Sequence, residues 1–164
     1  MRIKQIQDKI LENNNLIKSL QNQVAQLSRE NSDLNIQRED KLIEYFKEYI
    51  EIGTSYNVVN RYLYFTGVQT GLKKDDKQYA PNFNDGDSFE FIKKNAKSIV
   101  IKCTNKVISS FNNGKRTKIV ESNPGWIFRV ETLSLYQNLL RDPDFADSYK
   151  KYVTRREALD MLGI

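Results

Sequence analysis

The chain predicts an α+β fold, in which an N-terminal parallel coiled-coil helix is followed by a small domain with an antiparallel sheet and C-terminal helices. Three observations predict it. Aliphatic residues recur in heptads over the first 41 residues. An Asn-Gly pair at 113–114 separates two strand-like runs, and helix-capping residues punctuate the sequence after residue 140. At 164 residues, with 39% hydrophobic and 29% charged positions, the composition is that of a folded protein. The domains expected are 1–52, an oligomerisation helix running into the head, and 53–164, the α+β head.

Counting in sevens from Ile3, the a positions are Ile3, Ile10, Ile17, Val24 and Asn31, and the d positions are Ile6, Asn13, Leu20, Leu27 and Leu34. The next pair, Arg38 and Lys41, breaks the pattern. No proline or glycine occurs before Gly53. Four to five heptads in one register make a coiled-coil seam. At 1.5 Å per residue the seam is roughly 55–60 Å long. β-Branched residues at a with leucine at d favour a parallel dimer, whereas Ile3 with Ile6 and Asn13 at d lean toward a trimer. The flanking e and g positions are mostly Gln, Asn and Ser (Gln7, Asn14, Gln21, Gln23, Ser28 and Asn35) and offer few interhelical ion pairs, so charge selects no foreign partner and the chain itself is the expected one. From Leu42 to Ile52 bulky side chains cover most faces, and Gly53 is expected to stop the helix.

Residues 54–66 suit a strand by their β-branched and aromatic content, although Val58, Val59, Tyr62 and Leu63 also suit a helical face. The stretch 67–87 reads as a long polar loop. Asn113-Gly114 fits a two-residue type I′ turn. It predicts a β-hairpin over 106–121 that pairs Ser110 with Thr117, Ile108 with Ile119, Val107 with Val120 and Lys106 with Glu121. Ile99, Ile101 and Cys103 alternate along a strand before it. After the Asn123-Pro124-Gly125 turn, Trp126, Phe128 and Val130 alternate along another. Helices are expected at about 132–141, 144–152 and 155–162, with Asp144 and Thr154 as caps and Thr154 to Glu157 as a capping box. The eleven residues from Thr154 to Ile164 resemble the first helix of small excisionase-type helix-turn-helix modules, and no DNA-reading role is carried over from so short a match.

Charge is uneven. Residues 93–120 hold eight basic side chains (Lys93, Lys94, Lys97, Lys102, Lys106, Lys115, Arg116 and Lys118) and no acidic one, while the chain as a whole is +5. A basic ribbon can lie along a phosphate backbone. Lysine on strands also guards against edge pairing, and it can complement the acids at 75–90 (Asp75, Asp76, Asp85, Asp87 and Glu90).

Histidine is absent and there is one cysteine, so the commonest general base and any cysteine-based zinc site are excluded. Asn84-Asp85-Gly86-Asp87 fails as a calcium loop, because the ligand places fall on Pro81, Phe83 and Ile92. Cys103 reads as a small buried hydrophobe, and the acids at 85–90 as a solvated loop. Catalytic residues, metal and cofactor are accordingly expected to be none. No run is long and apolar enough to span a bilayer, and no signal peptide is read. The composition therefore points to a cytoplasmic protein, or to one within a virus particle assembled there. The leading expectation is a non-enzymatic, homo-oligomeric structural or adaptor protein, a phage or virion component whose heads bind a larger protein assembly. The alternative is a nucleic-acid-binding oligomer using residues 93–120.

Overall fold

The computed structural model describes residues 2–59, 61–70, 80–112 and 117–164. The architecture is α+β, as expected: a long helix, an antiparallel sheet and C-terminal helices. The chain divides into two compact units, Met1–Lys41 and Leu42–Ile164. Helix α1 (Ile3–Tyr49) runs through the first unit from Ile3 to Lys41 and opens the second. It ends one turn before Gly53, which holds a positive φ of 87°. The Gly53 amide donates to the Phe91 carbonyl at 2.8 Å.

The second unit is built on a five-stranded antiparallel sheet in the order β1 (Ser55–Asn57), β5 (Ser88–Lys94), β6 (Ser98–Cys103), β9 (Ile127–Glu131), β3 (Gly67–Gln69). Strand β5 was not expected, although Phe89 and Phe91 alternate with Ser88 and Glu90 much as the residues of β6 do. One face of the sheet carries Phe89, Phe91, Ile99, Ile101, Cys103, Phe128 and Val130, all buried. Against the core lie Phe46 of α1 and Ile50 just after it, Leu135 and Leu139 of α2 (Thr132–Leu139), and Tyr149 of α3 (Pro143–Met161). Strand β2 (Leu63–Tyr64) pairs with β4 (Asn82–Phe83), so the region expected to be one strand at 54–66 is two short ones, β1 and β2.

The stretch expected to be a loop from residue 67 begins instead with edge strand β3. Gly67 faces Val130, and a Cβ there would lie 2.6 Å from the Arg129 carbonyl oxygen, so only glycine allows the approach.

The hairpin exists but differs from expectation in two ways. Strands β7 (Val107–Asn112) and β8 (Thr117–Ser122) form a separate two-stranded sheet, and their register is displaced by two residues: Val107 faces Ser122, Ser109 faces Val120, and Asn112 faces Thr117. The reason lies at the base. Strands β6 and β9 pair with each other, Ile99 opposite Val130 and Ile101 opposite Phe128, and this register continues unbroken into β7 and β8. Residues 98–112 and 117–131 therefore run antiparallel in one common register, interrupted where the Asn123–Trp126 turn opens it on one side and residues 104–106 on the other. In that turn Trp126 N–H donates to the Asn123 carbonyl at 3.1 Å, and Gly125 has φ 86°. Core packing at the base sets the register, and residues 113–116, which include the expected Asn-Gly turn, lie outside the described residues. A slip of two leaves every side chain on its own face, so the apolar pattern could not separate the two registers.

The C-terminal helices also depart from expectation. The cap of α3 is Asp142, whose carboxylate accepts from the amides of Asp144 (3.0 Å) and Phe145 (3.4 Å), with Pro143 following it in the first turn. The second break does not occur. Thr154 Oγ1 turns back to the Lys150 carbonyl at 3.0 Å and the helix runs on to Met161. Contacts with α1 on both sides of Thr154 hold it: Tyr152 and Arg156 bond Glu48, and Tyr45 donates to Asp160.

Candidate partner-binding surfaces

Along α1, every residue from Arg2 to Lys41 is exposed in the single chain. The eight aliphatic a and d residues range from 45% exposed at Ile6 to 77% at Ile3, and Ile10, Ile17, Leu20, Val24, Leu27 and Leu34 fall between. Asn13 and Asn31 sit on the same stripe. Three further large residues, Leu11, Leu16 and Ile36, are exposed off the stripe. An isolated helix gains little from propensity alone, because most helical stability in proteins comes from covering an apolar face. In the second unit the same helix is treated differently, for Tyr45 and Phe46 are buried.

The basic segment is partly neutralised. Lys102 pairs with Glu90 across β6 and β5 at 2.7 Å, and Lys106 with Glu121 at 2.8 Å. Both acids lie outside the segment, so the complementation expected between 75–90 and these lysines is realised at Glu90. Lys93, Lys94 and Lys97 surround the β5–β6 turn and have no ion-pair partner among the described residues. Lys115 and Arg116 lie outside the described residues, as does the Lys118 side chain.

The acids at 85–90 do not converge. The Asp87 carboxylate folds inward to accept from the Asn84 amide (2.6 Å) and from Asn105 Nδ2 (3.4 Å), whereas Glu90 lies on the sheet beside Lys102. Among the described residues no group of three or more His, Cys, Asp or Glu could hold a metal ion. Burial, with the nearby charge of Asp87, pushes the Cys103 thiol up to about 12, so it stays protonated at neutral pH.

Most tyrosines serve the core. Phe46, Tyr49, Tyr136, Phe145 and Tyr149 form a cluster of mostly edge-on and tilted rings, with Phe145 and Tyr149 stacked. The hydrogen bond to Asp160 and burial raise the Tyr45 hydroxyl to about 12. Tyr56 donates to Asp142, and burial together with this bond raises its hydroxyl.

Two tyrosines behave otherwise. Leu63 of β2 is buried, whereas Tyr64 beside it and Tyr62 just before the strand are exposed, with ring centroids 6.3 Å apart. The Arg141 guanidinium lies over the Tyr64 ring at 5.5 Å. The outward-inward-outward order Tyr-Leu-Tyr was the available sequence signal, but it shows only once residues 62–64 are known to be extended.

Among the described residues no helix is long and apolar enough to cross a membrane. No family model, curated protein or solved structure matches the chain.

Proposed function

We propose that this chain is a non-enzymatic, homo-oligomeric structural or adaptor protein. Its N-terminal helices associate through the a/d seam, so that several α+β domains engage a larger protein assembly together, as in a phage or virus particle formed in the cytoplasm. The observation that carries the reading is the stripe of eight exposed aliphatic side chains along α1. Covering them against copies of the same helix gains on the order of 1 kcal/mol or more per side chain, and Asn13 and Asn31 then meet their own counterparts and set the register. Multiple copies raise the effective concentration of weak sites on a repetitive partner.

Light scattering at micromolar concentration tests it. The expected mass is about 38 kDa, twice the 19.2 kDa chain, or a threefold multiple. Leu20→Asn with Leu27→Asn returns the chain to a monomer. A wild-type monomer would overturn the proposal.

The second reading, a nucleic-acid-binding oligomer, draws on Lys93, Lys94 and Lys97 at one turn without carboxylate partners among the described residues. Its signature is affinity for single- or double-stranded probes that falls steeply with salt and is lost in Lys93→Gln, Lys94→Gln, Lys97→Gln.

A further inference from the structure

We propose that Tyr62, Tyr64 and Arg141 form the docking surface for an acidic segment of a protein partner. The inference rests on the reading of the head as the partner-binding part and supplies the site. Tyr62 and Tyr64 are 51% and 49% exposed, with their rings side by side at 6.3 Å. Arg141, just beyond α2, is exposed, lies over the Tyr64 ring and has no carboxylate partner among the described residues.

Its neighbour Arg61 is already committed, donating to the Arg141 carbonyl at 2.5 Å and pairing with Asp142 at 3.4 Å. The Asp142 carboxylate is in turn occupied by Tyr56 and the first amides of α3. The positive charge offered outward here is therefore that of Arg141.

Tyrosine and arginine are the residues enriched where interfaces concentrate their energy, and lysine is depleted there. In a chain with 17 lysines against 9 arginines, both cations at this place are arginine. A guanidinium held by an aromatic face is pre-oriented for two parallel bonds to a carboxylate, while the tyrosine rings provide apolar cover.

The geometry also says how the partner cannot bind. The Tyr64 amide is already bonded to Asn138 Oδ1 at 3.4 Å, so β2 does not offer that amide to an added strand, and contact runs through side chains. A nucleic acid is disfavoured because the two rings are tilted by 45°, one face of Tyr64 is taken, and a single unpaired cation makes no track for phosphates.

The test pans the full chain against a displayed library of random short peptides and measures the resulting consensus peptide by fluorescence anisotropy. An acidic consensus is expected, with affinity weakened about tenfold or more by Arg141→Ala and by Tyr64→Ala. Arg141→Lys should recover little of it, and Lys150→Ala, elsewhere on the head, should bind normally. Trp126 fluorescence verifies that each variant is folded. No consensus, a consensus without Asp or Glu, or unchanged binding by the folded variants would overturn the proposal. So would binding of oligothymidylate that the same variants abolish. Light scattering on the same samples separates the two ideas: a monomer that still binds the peptide through Arg141 refutes the oligomer and leaves this site standing.

Discussion

Replacing Phe46 by alanine asks where the long helix stops being an exposed stripe and becomes part of a core. Phe46 is 0% exposed and sits 5.3, 6.1 and 6.0 Å from the rings of Tyr136, Phe145 and Tyr149. Its ring touches rings of both α2 and α3. Removing a fully buried phenylalanine costs about 3–5 kcal/mol from lost transfer energy and the cavity left behind. The edge-on ring contacts place Phe46→Ala toward the upper part of that range. With a urea dependence of about 2 kcal/mol per molar, the midpoint falls by about 2 M. Trp126 is the only tryptophan and is half-buried against this core, so its fluorescence reports the second unit alone. The control is Leu20→Ala on the same helix, which should leave the Trp126 midpoint within about 0.5 kcal/mol at fixed protein concentration. A Phe46→Ala loss below about 1 kcal/mol, the scale of a surface substitution, would refute the assignment of residues 42–50 to the core.

Other outcomes follow from individual contacts. Oxidised Ile3→Cys should give self-linked dimers, because a parallel pair keeps the Ile3 and Ile6 layers aliphatic. The antiparallel alignment that matches Asn13 with Asn31 would set Ile3 against Lys41 and Ile6 against Arg38, so cross-linking between Ile3→Cys and Lys41→Cys chains in place of self-linking would rule the parallel pair out. Native Cys103, buried and protonated, should not interfere. Gly67→Ala should cost about 1–3 kcal/mol in urea unfolding, since its Cβ would strike the Arg129 carbonyl and push β3 from the sheet edge; an unchanged midpoint would contradict that packing. At Asp142, burial alone would raise the carboxyl, but bonds from Tyr56 and the Phe145 and Asp144 amides, with Arg61, hold it below its ordinary 3.8. A depressed folded value means its stabilisation is full above the unfolded value and disappears as pH falls through the folded one. The stability gap between wild type and Asp142→Asn should therefore be constant near neutrality and shrink at acid pH, and a gap that widens on acidification would reverse the assignment.

Local order was legible where periodicity is local. Heptad spacing without a proline or glycine before Gly53 determined a helix over the first 41 residues, and alternation determined β6 and β9 because Ile99, Ile101, Phe128 and Val130 all face one core. Several features depended on residues distant in sequence. The hairpin register came from the pairing of β6 with β9, which a side-chain period of two cannot distinguish from a slip of two. Helix α3 runs through its apparent capping box because α1 contacts it on both sides of Thr154. The basic segment looked uniform, yet Glu90 and Glu121 neutralise Lys102 and Lys106. Tyr62 and Tyr64 became distinguishable from the core tyrosines only once Leu63 was turned inward. The sequence by itself determined the long N-terminal helix with its apolar stripe and strands β6 to β9, since these depend on neighbours within a few residues, whereas β3, β4 and β5 escaped it. The tertiary structure alone decided register, helix continuity, which charges are spent and which rings remain outside, because each depends on partners brought together only by the packed core.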